Sequence, residues 1–444
     1  MKVIENEHKL YIMFIMNEQN ILNRSLLKEV VLEQQQEILQ APRGVPRDKL
    51  AELNTFSATP QVVIIQGVRR CGKSTLLAQF LDTLPTPACH YLNFEDERLV
   101  SFDVSWFSQL LEVFYEVNGK LDLFLFDEIQ VVEGWEQFVR RLHNSGNKII
   151  ITGSNANLLS EELGTKLTGR HLNSELFPFS FSEFLRYREH QHEERDVYSA
   201  EKRSELHRHF ADYLIKGGIP IYLQTGLRQV LSSLYEDIII RDILQRYRID
   251  NGKLFRELAI YLVSNSTSPL TYTKLKEYFH LGSVNTVIKY LGYLENCYLL
   301  FFINPFSPSF KKQINAPKKV YVICNAFIDK IGFHLTDNRG VLLENCVFLE
   351  LRRRFKAIFY YKTHNNLEVD FLVQDESGHA QLFQVSWSLV DAKTRNRELA
   401  ALSKAMEETG IQEGWILTQA ETETINLDGK VIYVVPVYQW LLGA

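Results

Sequence analysis

Residues 67–74 read Gly-Val-Arg-Arg-Cys-Gly-Lys-Ser and match the pattern G-x-x-x-x-G-K-[ST] at every fixed position. Such a loop works only between a strand and a helix: its backbone N–H groups turn inward around phosphates, and the helix adds the positive end of its dipole. Both flanks are present. Residues 61–66 are an apolar, β-branched run of the kind buried in a parallel sheet, and residues 74–81 carry leucines and a phenylalanine at helical spacing. The order predicts an α/β core that binds a nucleoside triphosphate. Gly67 and Gly72 let the backbone turn, and Val68, Arg69, Arg70 and Cys71 complete the loop, Cys71 as a small filler. Lys73 is placed for the β and γ phosphates, Ser74 for Mg2+ and Thr75 for the α-phosphate.

A second apolar run, residues 121–126, ends in Asp127 and Glu128, which puts two carboxylates at the carboxyl edge of a sheet, where ligands bind in open α/β folds. In that place Asp127 holds the metal, directly or through water, and Glu128 polarises the water that attacks the γ-phosphate. A solvated acidic pair at a strand end is the plainer alternative. A third run, residues 148–151, leads into Thr152-Gly-Ser-Asn155. Ser154 and its neighbours are candidates for sensing the γ-phosphate, or simply mark a strand leaving its sheet.

The chain has 444 residues, 45% hydrophobic and 12% aromatic, enough for about three domains. A net charge of −5 excludes a global field that would draw it onto nucleic acid, so any such contact is local. Five cysteines without a C-x-x-C pair argue against a disulfide framework or a zinc site and favour a reducing compartment. Residues 11–16 are apolar but too few for a signal core or a membrane span, so a cytoplasmic protein without a membrane partner is expected.

The ordered series Gly67 to Ser74, YLNFED at 91–96, DEIQ at 127–130, ITGS at 151–154, LTGR at 167–170 and LFPFSFSEFL at 176–185 resembles the archaeal-type ATPases of the AAA superfamily. Gly217-Gly-Ile-Pro220 and Arg241-Asp242 fit the middle of that family's pattern. The resemblance implies a P-loop core, a helical segment with a winged helix, and a C-terminal domain similar to the PD-(D/E)XK nucleases. On this chain the expected segments are 17–60 as a helical lead-in, 61–200 as the ATPase core, 201–335 as lid and winged helix, and 336–444 as the nuclease-like domain. It also adds one further catalytic candidate, and a homo-oligomer is among the expected partners. Arg170 matches a family arginine that reaches the γ-phosphate as a finger, in its own subunit or a neighbour's; pairing with Glu175 is the plainer reading. Arg241 reads as a structural partner of Asp237 or Asp242.

Residues 271–279 and 283–295 have the dimensions of a helix-turn-helix. The second helix is expected to bury Val284, Val287, Ile288, Leu291 and Leu294 and to expose Ser283, Asn285, Thr286, Lys289 and Tyr293. The doublets Lys311-Lys312 and Lys318-Lys319 flank a possible wing, as phosphate contacts or as a solvated edge. Against the nuclease pattern, Glu344 on a helix and Asp370 on a strand match, whereas Gln384 stands where an acid is expected and Ser386 where the lysine is expected. A neutral amide is the weaker Mg2+ ligand and serine carries no charge, so lost nuclease activity is expected, with Glu368 or Lys393 as conceivable substitutes. Arg352, Arg353, Arg354 and Lys356 form the best local basic patch for a nucleic-acid backbone.

The sequence thus predicts a Mg2+-dependent ATPase, with Lys73, Glu128 and Arg170 catalytic and ATP and Mg2+ as cofactors. The expected output is domain motion acting on DNA or RNA. An ATP-gated nuclease and a nucleotide-switched protein scaffold are the alternatives.

Overall fold

The computed structural model describes residues 22–86, 88–155, 170–193, 196, 199–333, 338–427 and 429–443. The apolar segment 11–16 and residues 167–169 of the LTGR stretch lie outside them. Internal contacts divide the chain into two units, Met1–Gly67 with Gly72–Leu176, and Val68–Cys71 with Phe177–Ala444. Among the described residues no helix is long and apolar enough to cross a membrane.

The first unit is built on five parallel strands, β1 (Val62–Gln66), β2 (His90–Asn93), β3 (Leu123–Asp127), β4 (Lys148–Gly153) and β5 (His171–Glu175), in the order β2-β3-β4-β1-β5. Every residue of β1 is buried, as a strand covered on both faces requires, which explains its unbroken apolar run. Helices Arg24–Gln40, Lys73–Leu81, Phe107–Asn118 and Trp135–Asn144 belong to this unit. Its core is aromatic: Phe107 stacks on Phe138 with centroids 4.3 Å apart, and Phe124, Phe126 and Trp135 are buried beside them. Rings of this size each bury a large apolar area. β5, His-Leu-Asn-Ser-Glu, has no apolar run of its own and pairs with β1 at the edge of the sheet.

His90 sits in this core, its ring 4.6 Å from Phe124 and 4.9 Å from Phe114, with Asn118 at 3.3 Å from Nδ1. Burial pulls its pKa down to about 4, so between that value and the ordinary 6.5 the unfolded chain binds a proton that the folded chain does not. Stability present above pH 6.5 is therefore lost as the pH falls, by about 2–3 kcal/mol near pH 4.5. Unfolding compared at pH 7 and pH 4.5 should show a smaller acid loss in His90→Leu than in wild type. Equal losses would mean that His90 is not the proton acceptor.

The second unit combines helices with two sheets. Ser180 and Glu183 form a reciprocal capping box that starts helix Phe181–Tyr187, which helix Ala200–Lys216 follows. The Gly217-Gly218 pair has a steric cause: a Cβ on Gly218 would lie 2.2 Å from the Phe179 carbonyl oxygen, so two backbones pass in contact there. A three-stranded antiparallel sheet orders β6 (Pro269–Leu270), β8 (Lys318–Val322) and β7 (Leu300–Ile303) as β6-β8-β7. Helices Tyr272–Tyr278 and Val284–Asn296 precede β7, and the short helix Phe310–Asn315 lies between β7 and β8. A mixed six-stranded sheet follows, from β9 (Ala357–Lys362), β10 (Glu368–Gln374), β11 (Ala380–Val385), β12 (Glu413–Thr418), β13 (Glu423–Leu427) and β14 (Lys430–Pro436), ordered β13-β14-β12-β11-β10-β9. Helices Arg339–Arg354 and Ala392–Thr409 accompany it.

Helix Val284–Asn296 departs from expectation on one face. Val287, Leu291 and Leu294 are buried, but Val284 and Ile288 are 36% and 44% exposed. They line an open groove with Leu270, Tyr272 and Ile314.

Candidate functional site

Strand register brings the first cluster together. β3 pairs with β4 through Phe126 opposite Ile151, and β4 pairs with β1 through Thr152 opposite Ile65, so the carboxyl ends of all three strands meet at one edge. β1 runs into Gly67, whose N–H donates to the Gly153 carbonyl at 3.3 Å. Gly72, at φ 102°, caps helix Lys73–Leu81; a Cβ there would meet the Arg47 guanidinium at 3.0 Å, so only glycine suits the position. Thr75 lies half-buried on the helix's first turn.

The side chains at this edge interlock. Lys73, 6% exposed, donates to the Gly67 carbonyl at 3.2 Å and pairs with Glu128 Oε1 at 3.1 Å. Ser74 Oγ donates to Asp127 Oδ2 at 2.5 Å. Asp127 also accepts from the Thr152 hydroxyl and from Tyr91 OH at 3.2 Å, while Thr152 Oγ1 accepts the Glu128 N–H at 3.1 Å. Glu128 Oε2 accepts from Gln130 Nε2 at 2.5 Å and from the Ser154 N–H at 3.2 Å. Glu128 holds φ 53°, in the left-handed region, a conformation that costs a glutamate on the order of 1 kcal/mol. Burial pushes the Asp127 carboxyl up from the carboxylate range and the Glu128 charge adds to this, while the Ser74 and Thr152 bonds and the Lys73 charge act the other way.

The donor set fits a hard cation and phosphates. Ser74 and Asp127 offer oxygen ligands side by side, the type Mg2+ requires. Among the described residues Ser154 Oγ is buried and has no hydrogen-bond partner. The loop residues Val68–Cys71 belong to the second unit, where Val68 and Cys71 are buried and Arg69 donates to both Asp242 oxygens at 3.0 and 3.2 Å. Arg70 holds φ 64°, and Arg241 pairs with Asp237 at 3.5 Å.

Arg170 lies elsewhere. Its carbonyl accepts from Val62 N at the amino end of β1, and its guanidinium donates to Asn144 Oδ1 at 3.0 Å. The length of β1, about 15 Å at 3.3 Å per residue, separates it from Lys73, so the expected action in its own subunit is not what this geometry offers. The pairing with Glu175 is replaced by Asn144.

A second cluster forms in the second unit. Glu344 on helix Arg339–Arg354, Glu368 and Asp370 on β10, and Lys319 on β8 converge: Lys319 Nζ lies 3.1 Å from Glu344 Oε1, 2.8 Å from Glu368 Oε1 and 3.0 Å from Asp370 Oδ1. Gln384 on β11 accepts the Asp370 N–H at 3.2 Å and donates to Glu398 at 2.6 Å, while Ser386 turns to the Ser388 carbonyl at 3.2 Å. Lys393 is exposed. Burial pushes the Glu344 carboxyl up to about 7, against the pull of the Lys319 charge, and burial with the Glu344 charge raises Tyr321 well above the ordinary phenol range. Lys319 was expected at a solvated edge or on phosphate; it is 3% exposed because three carboxylates from other elements surround it.

Two members of the basic patch, Arg353 and Arg354, make internal contacts, and Lys356 sits in an exposed pair. Arg353 donates to Glu350 at 3.2 Å and to the Pro178 carbonyl at 3.0 Å, and lies over the Phe177 ring. Arg354 donates to Glu350 at 2.8 Å and to the Trp440 carbonyl at 3.2 Å with its guanidinium over the Trp440 ring, and Lys356 pairs with Glu376 at 3.2 Å.

A five-stranded parallel sheet, a glycine loop opening onto a helix, and an aspartate at the tip of the second strand over define the class: the first unit has the fold of a P-loop ATPase of the AAA type. Residues 59–185 match the family model of the AAA domain, and residues 207–326 and 339–440 match two domains of unknown function, DUF8612 and DUF4143. The chain is 33% identical over 446 residues to the uncharacterized protein MJ1544 of Methanocaldococcus jannaschii, covering 96% of this chain and 98% of that one. It is 30% identical over 417 residues to an uncharacterized protein of Haemophilus influenzae, covering 88% of this chain and 97% of that one. The chain belongs to the family these proteins represent. Among solved structures, it resembles the signal transduction ATPase with numerous domains PH0952 of Pyrococcus horikoshii, at 14% identity and a TM-score of 0.26 over 71% of this chain and 47% of that one.

Proposed function

We propose that the chain binds ATP at the loop closed by Lys73 and hydrolyses it in the presence of Mg2+, coupling nucleotide state to domain movement. The observation that carries this reading is the convergence of Lys73, Ser74, Asp127 and Glu128 at one sheet edge within hydrogen-bonding distance. Ser74 and Asp127 would hold Mg2+, which offsets phosphate charge when bound. Lys73 attracts the β and γ phosphates, and these compete with Glu128 for its ammonium. Glu128, released from the lysine but still held by Gln130 and the Ser154 N–H, orients the attacking water, and Ser154 Oγ senses the γ-phosphate. Arg170 enters this scheme only from a neighbouring copy in a homo-oligomer.

Of the possible outputs, action on DNA or RNA gains little from Arg353 and Arg354, which already serve Glu350 and backbone carbonyls, and would rest on Arg352 and the exposed Lys356. A nucleotide-switched protein scaffold fits better. Phosphate release measured with and without duplex DNA, single-stranded DNA and RNA tests this: turnover should stay within about twofold, and a tenfold rise with any of them restores a nucleic-acid partner. No phosphate release under any condition removes the ATPase reading itself.

A further inference from the structure

We infer that Lys319 is the resident cation of the cluster formed by Glu344, Glu368 and Asp370, and that it fills by side chain the place a divalent ion would need. An ammonium has three N–H donors and no acceptor. Two of them are donated to Glu344 Oε1 at 3.1 Å and Asp370 Oδ1 at 3.0 Å, and Glu368 Oε1, 2.8 Å away, is a third charge partner. The surrounding bonds fix the carboxylates in turn: Tyr321 OH donates to Glu344 Oε1 at 2.9 Å, and the Val385 N–H to Asp370 Oδ2 at 2.9 Å.

Two observations separate this arrangement from a metal centre. Among the described residues, no group of three or more His, Cys, Asp or Glu side chains is arranged to hold a metal ion. The strand that would complete an acid pair instead carries Gln384, whose amide is committed to the Asp370 N–H and to Glu398. The lysine arrives from another sheet, 51 residues before Asp370, so the cation and its carboxylates come from three elements, β8, helix Arg339–Arg354 and β10. The cluster therefore rivets β8 to the C-terminal sheet, and its chemistry is structural attachment. This inference is independent of the nucleotide site.

Mn2+ alone, titrated into nucleotide-free protein and read by the loss of the free-ion electron paramagnetic resonance signal, tests it. Wild type and Asp370→Asn should take up the same amount of Mn2+, because no ion enters the cluster in either. Lys319→Ala should gain about one equivalent, and Lys319→Ala with Asp370→Asn should lose it again. An ion bound by wild type and lost in Asp370→Asn overturns the inference, as does Mn2+-dependent cutting of circular DNA that disappears in Asp370→Asn. A folded Lys319→Ala that gains no ion also overturns it. Should Lys319→Ala fail to fold, the wild-type and Asp370→Asn comparison still decides.

Discussion

Lys73→Ala is expected to abolish nucleotide binding and hydrolysis, with affinity for ATP falling at least a hundredfold and phosphate release falling to background. Two effects add. The phosphates lose the ammonium nearest their negative charge, and the carboxylate of Glu128 loses its partner at 3.1 Å in a site where the two side chains are 5% and 11% exposed. Breaking a buried pair from one side costs about 3–5 kcal/mol, because the remaining charge stays desolvated. Lower activity could then follow from a damaged fold alone. The double variant Lys73→Ala/Glu128→Gln separates the two, since it removes both charges and should recover most of the unfolding midpoint while remaining unable to bind ATP. ATP binding at wild-type strength in either variant would refute the role given to Lys73.

Glu128→Gln should behave differently. The amide keeps the side-chain length and still accepts from the Ser154 N–H, so the local frame survives, but it is too weak a base to draw a proton from water. Hydrolysis is expected to fall roughly 10²–10⁴-fold, the usual range for removing a positioned base. Binding should persist or tighten, because Lys73 no longer divides its charge between a carboxylate and the phosphates. Single-turnover phosphate release together with fluorescent-nucleotide titration measures both quantities. Unchanged turnover would leave Glu128 a counter-ion to Lys73 and nothing more.

The residues of the first cluster were legible in the sequence because each lies at the end of a short run of buried strand, and a run such as Val62-Val-Ile-Ile announces its strand whatever it pairs with. Gly67 to Ser74 follow from their own pattern with that run before it, and Asp127 and Glu128 from the apolar run behind them. Arg170 did not, since the strand behind it reads His-Leu-Asn-Ser-Glu and carries neither alternation nor an apolar run; without that strand, nothing located Arg170 at the amino edge. Lys319 failed for a different reason. A Lys-Lys doublet beside a loop is ordinarily solvated, and the carboxylates that surround its second member lie 25 to 51 residues further on, beyond the reach of any local pattern. Tyr321, two positions later on the same face of the strand, donates to Glu344 in the same cluster. The use of Arg353 and Arg354 was half visible: Glu350 stands three and four positions earlier on the helix, but the ring of Trp440 could come only from the fold.

The pairing of Phe126 with Ile151 has an evolutionary corollary. Because neighbouring positions on a strand face opposite sides of the sheet, a slip of one residue would turn Asp127 away from Ser74 and Thr152 while leaving every covalent bond intact. The connecting segments can therefore lengthen, shorten or diverge over generations without touching the chemistry. A single deletion inside β3 would erase it at once.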